Sequence, residues 1–297
     1  MRVSFVVINK DDRAVAATLT ALRAQHAVGV AATETVVVDA SESRLDDIRD
    51  AHPDVVWVPF TPRPGKPTIP EQRNAGIAVA GGDVVVFIDA SCEPDDDWLA
   101  RLVAPILHEG ERVVAGSTLS TGAPSLRDEN AHYISAERYL REAPTINLAV
   151  ARDVFASVGV FDEAFHYGSD VDFTWRVNDA GVKIRYAPEA VVRHDWGDSR
   201  AEVRRSYLYG QARYRLYAKH AHRRAAALRE DPVAVVYPLL LLALPLLVRR
   251  PWRLIVLAIP LARNRCHRPL LSLLDHLVYG AGVLTAARRH ALGRLDA

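Results

Sequence analysis

Apolar and polar positions alternate in blocks along the first ninety residues of the chain. Short runs of β-branched and aliphatic residues predict buried strands, and the segments between them have helix-forming composition. The predicted strands are Val3–Ile8, Thr35–Val38, Val55–Val58 and Val84–Ile88, and the predicted helices are Ala14–Gln25, Ser41–Ala51 and Pro70–Ala80. Short, fully apolar strands separated by helices are typical of a parallel sheet that is covered on both faces. The pattern therefore predicts an α/β fold.

The second half of the chain continues the alternation with shorter elements. Asn147–Ala151 predicts a strand that leads into a helix at Arg152–Val158. Ser169 is the predicted N-cap of a helix that ends at Gly181, and two short β-like runs, at 183–186 and 190–193, follow it. A long helical pattern then covers 199–228.

Acidic residues follow two of the predicted strands. Asp39 and Asp89 each come directly after an apolar run, where ligands bind in parallel α/β sheets. Each of them alone indicates an ordinary helix N-cap, but together with Arg73 and Asn74 they favour a nucleotide site. Asp170 and Asp172 fall in the first turn of a later helix, and their spacing alone indicates ordinary capping.

The ordered series of motifs resembles family 2 glycosyltransferases with the GT-A fold, from residue 3 to about residue 220. The segments that carry the resemblance are VSFVVIN, VVVDAS, EQRNAG, GGDVVVFIDAS, TINLAVARDVFASVGVFDEAF, GSDVDFTWR and RHDWG. The resemblance implies an α/β fold with a mostly parallel central sheet, in a GT-A-like domain at 1–228. Residues 1–115 would form its nucleotide half and residues 116–228 its acceptor half.

The resemblance also implies roles for single residues. The enzyme would move a sugar from a nucleoside-diphosphate sugar to an acceptor hydroxyl in one inverting displacement, with Asp170 as general base. The donor would be bound by a set of polar side chains: Asp39, Arg73, Asn74, Asp89, Arg176 and His194. A divalent cation, Mg²⁺ or Mn²⁺, would be held by Asp89, Ser91 and His194.

Three positions depart from the family pattern. Ser91 replaces the second acid of the Asp-Xaa-Asp motif that begins at Asp89, so a carboxylate that such cations prefer is missing, and Asp89, Glu93, Asp95 or water would have to compensate. Ser169 stands where an acid commonly precedes the base, and the first strand ends in Ile8-Asn9-Lys10 rather than near a Pro-Thr pair. A second hypothesis is therefore a GT-A-fold protein that binds nucleotide or glycan without turnover.

The tail at 229–297 differs in composition from the preceding residues. Residues 232–297 carry nine arginines and two aspartates, a net +7, whereas the 28 basic and 34 acidic residues before them give −6. The sixteen uncharged residues Val233–Val248 would reach only about 24 Å, less than the ~30 Å hydrocarbon core. Together with Leu254–Ala262 and Leu270–Ala287, they predict apolar helices that attach the chain to a membrane, in re-entrant or interfacial rather than hairpin form. The alternative is a soluble extension or a dimer interface.

Composition excludes several classes of protein. The 49% hydrophobic content excludes a disordered chain, and two cysteines exclude a disulfide framework. The acidic part of the chain before residue 232 contains no basic stripe with interleaved aromatics, so it gives no indication of nucleic-acid binding. The first residues lack a signal-peptide core, so we expect an enzyme on the cytoplasmic face of the cell membrane, acting on a lipid-linked or other envelope-glycan acceptor.

Overall fold

A computed structural model describes most of the chain as two compact units. The described residues are 1–63, 68–121, 131–132, 137–197, 199–249, 252 and 269–293. The first unit contains Met1–Thr121 and Ala131–Asp195, and the second contains the chain from Trp196 onward.

Four parallel strands form one side of the first unit. They are β1 (Arg2–Asn9), β2 (Ala32–Asp39), β3 (Val56–Pro59) and β4 (Val84–Ile88), in the order β3-β2-β1-β4. All five residues of β4 are buried, which explains why its sequence is continuously apolar rather than alternating. The four strands predicted from apolar runs are therefore present.

Helices lie between or after these strands in the chain, and most of them pack against the sheet. They are α1 (Val15–Arg23), α2 (Asp46–Ala51), α3 (Ile69–Val79) and α4 (Trp98–Glu109). Helix α3 packs so closely on β1 that a Cβ atom at Gly76 would lie 2.4 Å from a methyl group of Val6. The predicted helix at 41–51 is present only from Asp46, because Glu42 takes a left-handed conformation, with φ of 56°, that a helix cannot continue.

The other side of the sheet is mixed. It contains β5 (Cys92–Pro94), β6 (Val113–Ser120), β7 (Ala131–His132), β8 (Tyr139–Leu140), β9 (Asn147–Ala151) and β10 (Ile184–His194). The main path of the sheet runs β3-β2-β1-β4-β9-β6-β10-β5, in which β9 is antiparallel to both of its neighbours. The predicted pair of runs at 183–186 and 190–193 is one strand, because a bulge between Ala187 and Val191 accommodates the interruption.

Two helices, α5 (Arg152–Val158) and α6 (Ser169–Asp179), complete the first unit. An aromatic cluster packs beneath them, with the rings of Phe161 and Phe173 centred 4.8 Å apart. Ser169 is not the N-cap that the sequence predicted. Gly168 occupies that position with φ of 82°, and Ser169 is the first, buried residue of α6.

The second unit is helical. It contains α7 (Ser199–Lys219), a 3-10 helix (Ala221–Ala226), α8 (Ala227–Glu230), α9 (Pro232–Val248) and α10 (Pro269–Ala291). The single helix predicted over 199–228 is therefore broken after Lys219, and the predicted segment Leu254–Ala262 lies outside the described residues. Within the described part of the chain, Leu270–Ala291 is long and apolar enough to cross a membrane, and the bent pair Ala221–Glu230 and Pro232–Leu247 passes the same test jointly.

Candidate active site

Two of the predicted nucleotide residues lie at the carboxyl edge of the parallel strands. Asp39 is paired in register with Asn9 at the ends of β2 and β1, and Asp89 directly follows β4. The helices that come next along the chain begin only at Asp46 and Trp98, so neither acid is a helix N-cap. The capping interpretation of these two aspartates is therefore wrong, and both carboxylates lie where ligands bind in such sheets.

Asp39 shapes the turn after β2. Its Oδ1 accepts a hydrogen bond of 3.1 Å from the amide of Ser41, and its carbonyl accepts one of 2.8 Å from Phe60. The hydroxyl of Ser41 in turn accepts a hydrogen bond of 2.6 Å from the amide of Asp11, in the loop after β1. The Asp39 side chain is half-buried, so this turn holds a carboxylate at the edge of the sheet without removing it from solvent.

Arg73 connects the two halves of the predicted site. It lies on α3, its side chain is only 10% exposed, and its Nη2 lies 3.8 Å from Oδ1 of Asp89. The guanidinium also lies 5.7 Å from the ring centre of Phe161, within cation–π range. Its positive charge also acts on Asp170 on α6, where it lowers the carboxyl pKa and so opposes the rise that burial causes. One buried cation thus acts on an acid from each half of the unit.

Asp170 is half-buried in the first turn of α6. Burial raises the pKa of its carboxyl above the ordinary aspartate value, because the charged form loses hydration. Arg73 and the amide of Val171, which donates to Oδ1 at 2.9 Å, oppose this rise, and the negative charge of Glu142 adds to it. A carboxylate with a raised pKa is a stronger proton acceptor, which suits a general base.

Ser91, two residues after Asp89 in the chain, and His194 meet at the junction of two strands. The amide of Cys92 donates to the Asp89 carbonyl at 3.2 Å, which closes a turn, and Ser91 Oγ lies 3.0 Å from His194 Nε2. His194 is held there because β10 pairs antiparallel with β5, with His194 opposite Cys92. A carboxylate, a hydroxyl and an imidazole nitrogen form a donor set that Mn²⁺ or Mg²⁺ accepts, so the residues present fit a divalent cation.

Asp95, a candidate for the missing carboxylate, contacts β10. It forms an ion pair with Arg193 on β10, and its amide donates to the carbonyl of Val191 at 3.1 Å. Glu93 is exposed on β5, between Cys92 and Pro94. Two residues after Asp89, where the motif would place a second carboxylate, the side-chain oxygen is the hydroxyl of Ser91.

Asn74 and Arg176 both hold the segment around Phe161. The Asn74 amide donates to the Phe161 carbonyl at 2.9 Å and accepts from the Phe161 amide at 3.0 Å. The Arg176 guanidinium donates to Asp172 at 2.9 Å and to the carbonyls of Val158 and Val160 at 2.7 Å each. These contacts give both side chains a structural task, and their predicted roles as nucleotide ligands stay predictions.

Thr18 is a residue that sequence reasoning missed. It lies on α1, is 1% exposed, and its hydroxyl lies 2.7 Å from the Ala90 carbonyl and 2.9 Å from the Cys92 carbonyl. It therefore anchors both sides of Ser91 in the turn that carries the candidate cation ligands. A buried threonine on the apolar face of a helix was the only signal in the sequence, and it does not identify the partner.

A family comparison decides the assignment. Residues 5–166, more than half of the chain, match the model of glycosyl transferase family 2. The chain belongs to glycosyl transferase family 2. The predicted family is thus confirmed, and Asp170 and His194 lie beyond the matched residues of this family 2 chain.

Curated proteins are similar to this chain in sequence. The pre-mycofactocin glycosyltransferase of Mycobacterium tuberculosis is 32% identical over 218 residues, which cover 64% of this chain and 43% of that protein. The succinoglycan biosynthesis protein ExoM of Rhizobium meliloti is 27% identical over 164 residues, 50% of this chain and 53% of that protein. The match thus spans less than half the length of the mycobacterial relative.

Solved structures confirm the predicted GT-A fold. The mannosyltransferase PcManGT of Pyrobaculum calidifontis, solved with GDP-Man and Mn²⁺, superposes with a TM-score of 0.67 at 18% identity, over 99% of this chain and 88% of that chain. GalNAc-T7, solved with UDP, GalNAc and Mn²⁺, gives 0.55 at 16% identity, over 76% of this chain and 51% of that chain. At these identities the likeness concerns the fold of the family 2 chain and not its substrates.

Proposed function

We propose that this family 2 chain transfers a sugar from a nucleoside-diphosphate sugar to an acceptor hydroxyl, with inversion at the anomeric carbon. The observation that carries the proposal is the pairing of Arg73 with Asp89, together with the electrostatic effect of Arg73 on Asp170. A cation beside the nucleotide edge and a carboxylate of raised pKa are the two groups that such a displacement requires.

The proposed chemistry is a single displacement. Asp170 accepts the proton of the acceptor hydroxyl as its oxygen attacks the anomeric carbon, and the sugar–phosphate bond breaks with its electron pair on the diphosphate. Arg73 stabilises the charge that grows on that leaving group, in a setting where burial strengthens the interaction. Asp39 binds the base or ribose at the end of β2. The products are the glycosylated acceptor, a nucleoside diphosphate and a protonated Asp170.

We assign Asp89, Ser91 and His194 as the residues that would hold a divalent cation. When bound, the cation supplies further positive charge to the diphosphate oxygens. Both solved neighbours were determined with Mn²⁺, which supports a divalent cation for this chain as well. The donor set would offer a single carboxylate, from Asp89, beside the Ser91 hydroxyl and the His194 imidazole.

The acceptor and the place of the reaction form a further part of the proposal. We assign the chain an acceptor that is a lipid-linked or other envelope glycan, at the cytoplasmic face of the cell membrane, with residues 229–297 as the attachment. Support comes from the name of the Rhizobium meliloti relative, which concerns succinoglycan biosynthesis, and from the apolar helix α9, several of whose leucines are exposed. The GT-A-like domain would then be residues 1–228.

The second candidate is a protein of the same fold that binds nucleotide or glycan without turnover. Ser91 favours it, because the second acid of the Asp-Xaa-Asp motif is missing. The two candidates differ in whether a nucleoside diphosphate is released.

The deciding experiment measures release of nucleoside diphosphate from a panel of sugar nucleotides with Mn²⁺ or Mg²⁺. Transfer predicts release that depends on one donor and on added acceptor, and that donor raises the melting temperature. A rise in melting temperature without release, across acceptors of both lipid-linked and soluble kind, would instead support the binding protein.

Thr18→Val should weaken the apparent affinity for Mn²⁺ and sugar nucleotide about tenfold, because residues behind metal ligands typically contribute tenfold to a hundredfold. Valine matches the shape of threonine but removes the donor to the Ala90 and Cys92 carbonyls, so the turn with Asp89 and Ser91 loses its anchor. Titrating release against Mn²⁺ concentration measures the effect.

Thr18→Ser is the matched control, since it keeps the hydroxyl and should restore most of the Mn²⁺ affinity. At saturating Mn²⁺ and donor, kcat of Thr18→Val should stay within about threefold of the parent. Unchanged Mn²⁺ affinity in Thr18→Val, with a lowered melting temperature, would leave Thr18 a purely structural residue.

A further inference from the structure

Helices α7 and α10 of the second unit pack at backbone contact. A Cβ atom at Gly210 would lie 2.0 Å from the Tyr279 carbonyl oxygen, and one at Gly282 would lie 2.1 Å from the Tyr207 carbonyl oxygen. Only glycine fits at both crossings, so the two helices approach along their backbones. They form one layer rather than two separable segments.

Polar contacts fasten α10 to α7 along its length. Near its start, the buried Asp275 accepts a hydrogen bond from Ser206, and near its end Tyr207 donates to Thr285 at 3.1 Å. Between them, Arg213 donates to the Tyr279 hydroxyl at 3.1 Å. Helix α7 carries seven charged residues among its 21. A spanning α10 would draw those charges into hydrocarbon or break these contacts, and both are costly.

Helix α9, in contrast, exposes apolar side chains on one side. Tyr237 is buried and its hydroxyl lies 3.0 Å from His276 Nδ1 on α10, so one side of α9 is packed. The opposite side presents the α9 leucine face, which we define as Val236, Leu239, Leu242 and Leu246. These residues are spaced by three or four positions, and Leu239 and Leu242 are 59% and 63% exposed.

The surroundings of this face fit a lipid surface. Helix α9 has 17 residues with Pro238 and Pro245 inside it, so at about 1.5 Å per residue it is shorter than the ~30 Å hydrocarbon core. Arg249 follows its end and is exposed, and the exposed Trp252 is of the type found at membrane interfaces. Residues 232–297 carry a net +7, which complements anionic headgroups.

We propose that the α9 leucine face docks onto an anionic lipid bilayer from one side, while α10, fastened to α7, stays outside the hydrocarbon. This rests on the membrane attachment within the proposed function and specifies its surface. An acceptor carried in the lipid would then reach the enzyme at the level of the headgroups.

The experiment measures binding of the full chain to vesicles, either phosphatidylglycerol with phosphatidylcholine or phosphatidylcholine alone. The expected result is binding to the anionic vesicles that falls at least tenfold in Leu239→Ser/Leu242→Ser. The matched control is Leu270→Ser/Leu274→Ser on α10, whose leucines are 71% and 47% exposed, and its binding should stay within twofold of the parent. Alkaline carbonate should release the parent from the vesicles.

Several results would overturn the proposal. If Leu239→Ser/Leu242→Ser binds the vesicles as well as the parent does, with an unchanged melting curve, the α9 leucine face is not the docking surface. The same conclusion follows if only the Leu270→Ser/Leu274→Ser variant loses binding. Resistance to carbonate would show a spanning chain, and a dimer in lipid-free buffer that this α9 pair dissociates would show a second copy on the face. If the parent chain binds neither kind of vesicle, the proposed membrane attachment is wrong. If the same sample still releases nucleoside diphosphate, the proposed sugar transfer is unaffected.

Discussion

Asp170→Asn should lower kcat by about 10³-fold while leaving the affinity for the sugar nucleotide near that of the parent chain. Asparagine keeps the size of the side chain and an oxygen for the Val171 amide, but it cannot accept the proton of the acceptor hydroxyl. The measurement is release of nucleoside diphosphate at saturating donor and acceptor, with donor affinity from thermal shift.

The pH dependence of the parent chain supplies a second reading of the same residue. Because burial raises the pKa of Asp170, the acid limb of kcat/KM should lie above the ordinary aspartate range. Activity should fall as the pH drops through that pKa, since the protonated carboxyl cannot serve as base. An acid limb at an ordinary aspartate pKa would contradict the assignment.

Stability separates loss of chemistry from loss of fold. The folded pKa of Asp170 lies above its unfolded value, so between the two values the folded state binds more protons and stability falls as the pH rises. Above its folded-state pKa the ionised Asp170 therefore costs stability, and there Asp170→Asn should melt at the same temperature as the parent or higher. This difference should vanish below the ordinary aspartate pKa.

Asp172→Asn on the same helix is the matched control. Asp172 is fully buried and pairs with Arg176 at 2.9 Å, so the change weakens an ion pair that secures the Val158 and Val160 carbonyls. It should lower the melting temperature, with a smaller loss of kcat than Asp170→Asn in the protein that remains folded. A chain in which Asp172→Asn abolishes turnover and Asp170→Asn does not would have a different base.

The sequence predicted β1, β2, β3, β4 and β9 because each contains an apolar run, but it did not predict β5, β6, β7 or β8. It missed the continuity of β10, since Pro188 and Glu189 interrupt the apolar pattern and only pairing with β6 shows that a bulge carries the strand through. It also extended α2 too far toward its start, because a polar segment does not reveal the left-handed turn at Glu42.

Some features of the candidate site were predictable from the sequence and others were not. Asp39 and Asp89 were predictable because the carboxyl ends of parallel strands meet at one edge. The anchoring role of Thr18 was not, since its partners are main-chain carbonyls 72 and 74 residues away. The contacts of Asn74 and Arg176 were hidden for the same reason, because a sequence does not show which carbonyls lack a donor.

Arg73→Gln should lower kcat/KM by about 10²-fold, because it removes the buried positive charge beside Asp89 that the proposed transfer assigns to the leaving diphosphate. It should also move the acid limb of the pH profile to higher pH, since the charge of Arg73 lowers the pKa of Asp170. Arg73→Lys keeps the charge and should hold the limb near the parent position, although it loses the planar contact with Phe161. A residue that only supports the fold would change the melting temperature and leave the limb in place. If the acid limb of the pH profile of Arg73→Gln coincides with that of the parent chain, the charge of Arg73 does not act on Asp170. The proposed transfer then loses the observation on which it rests.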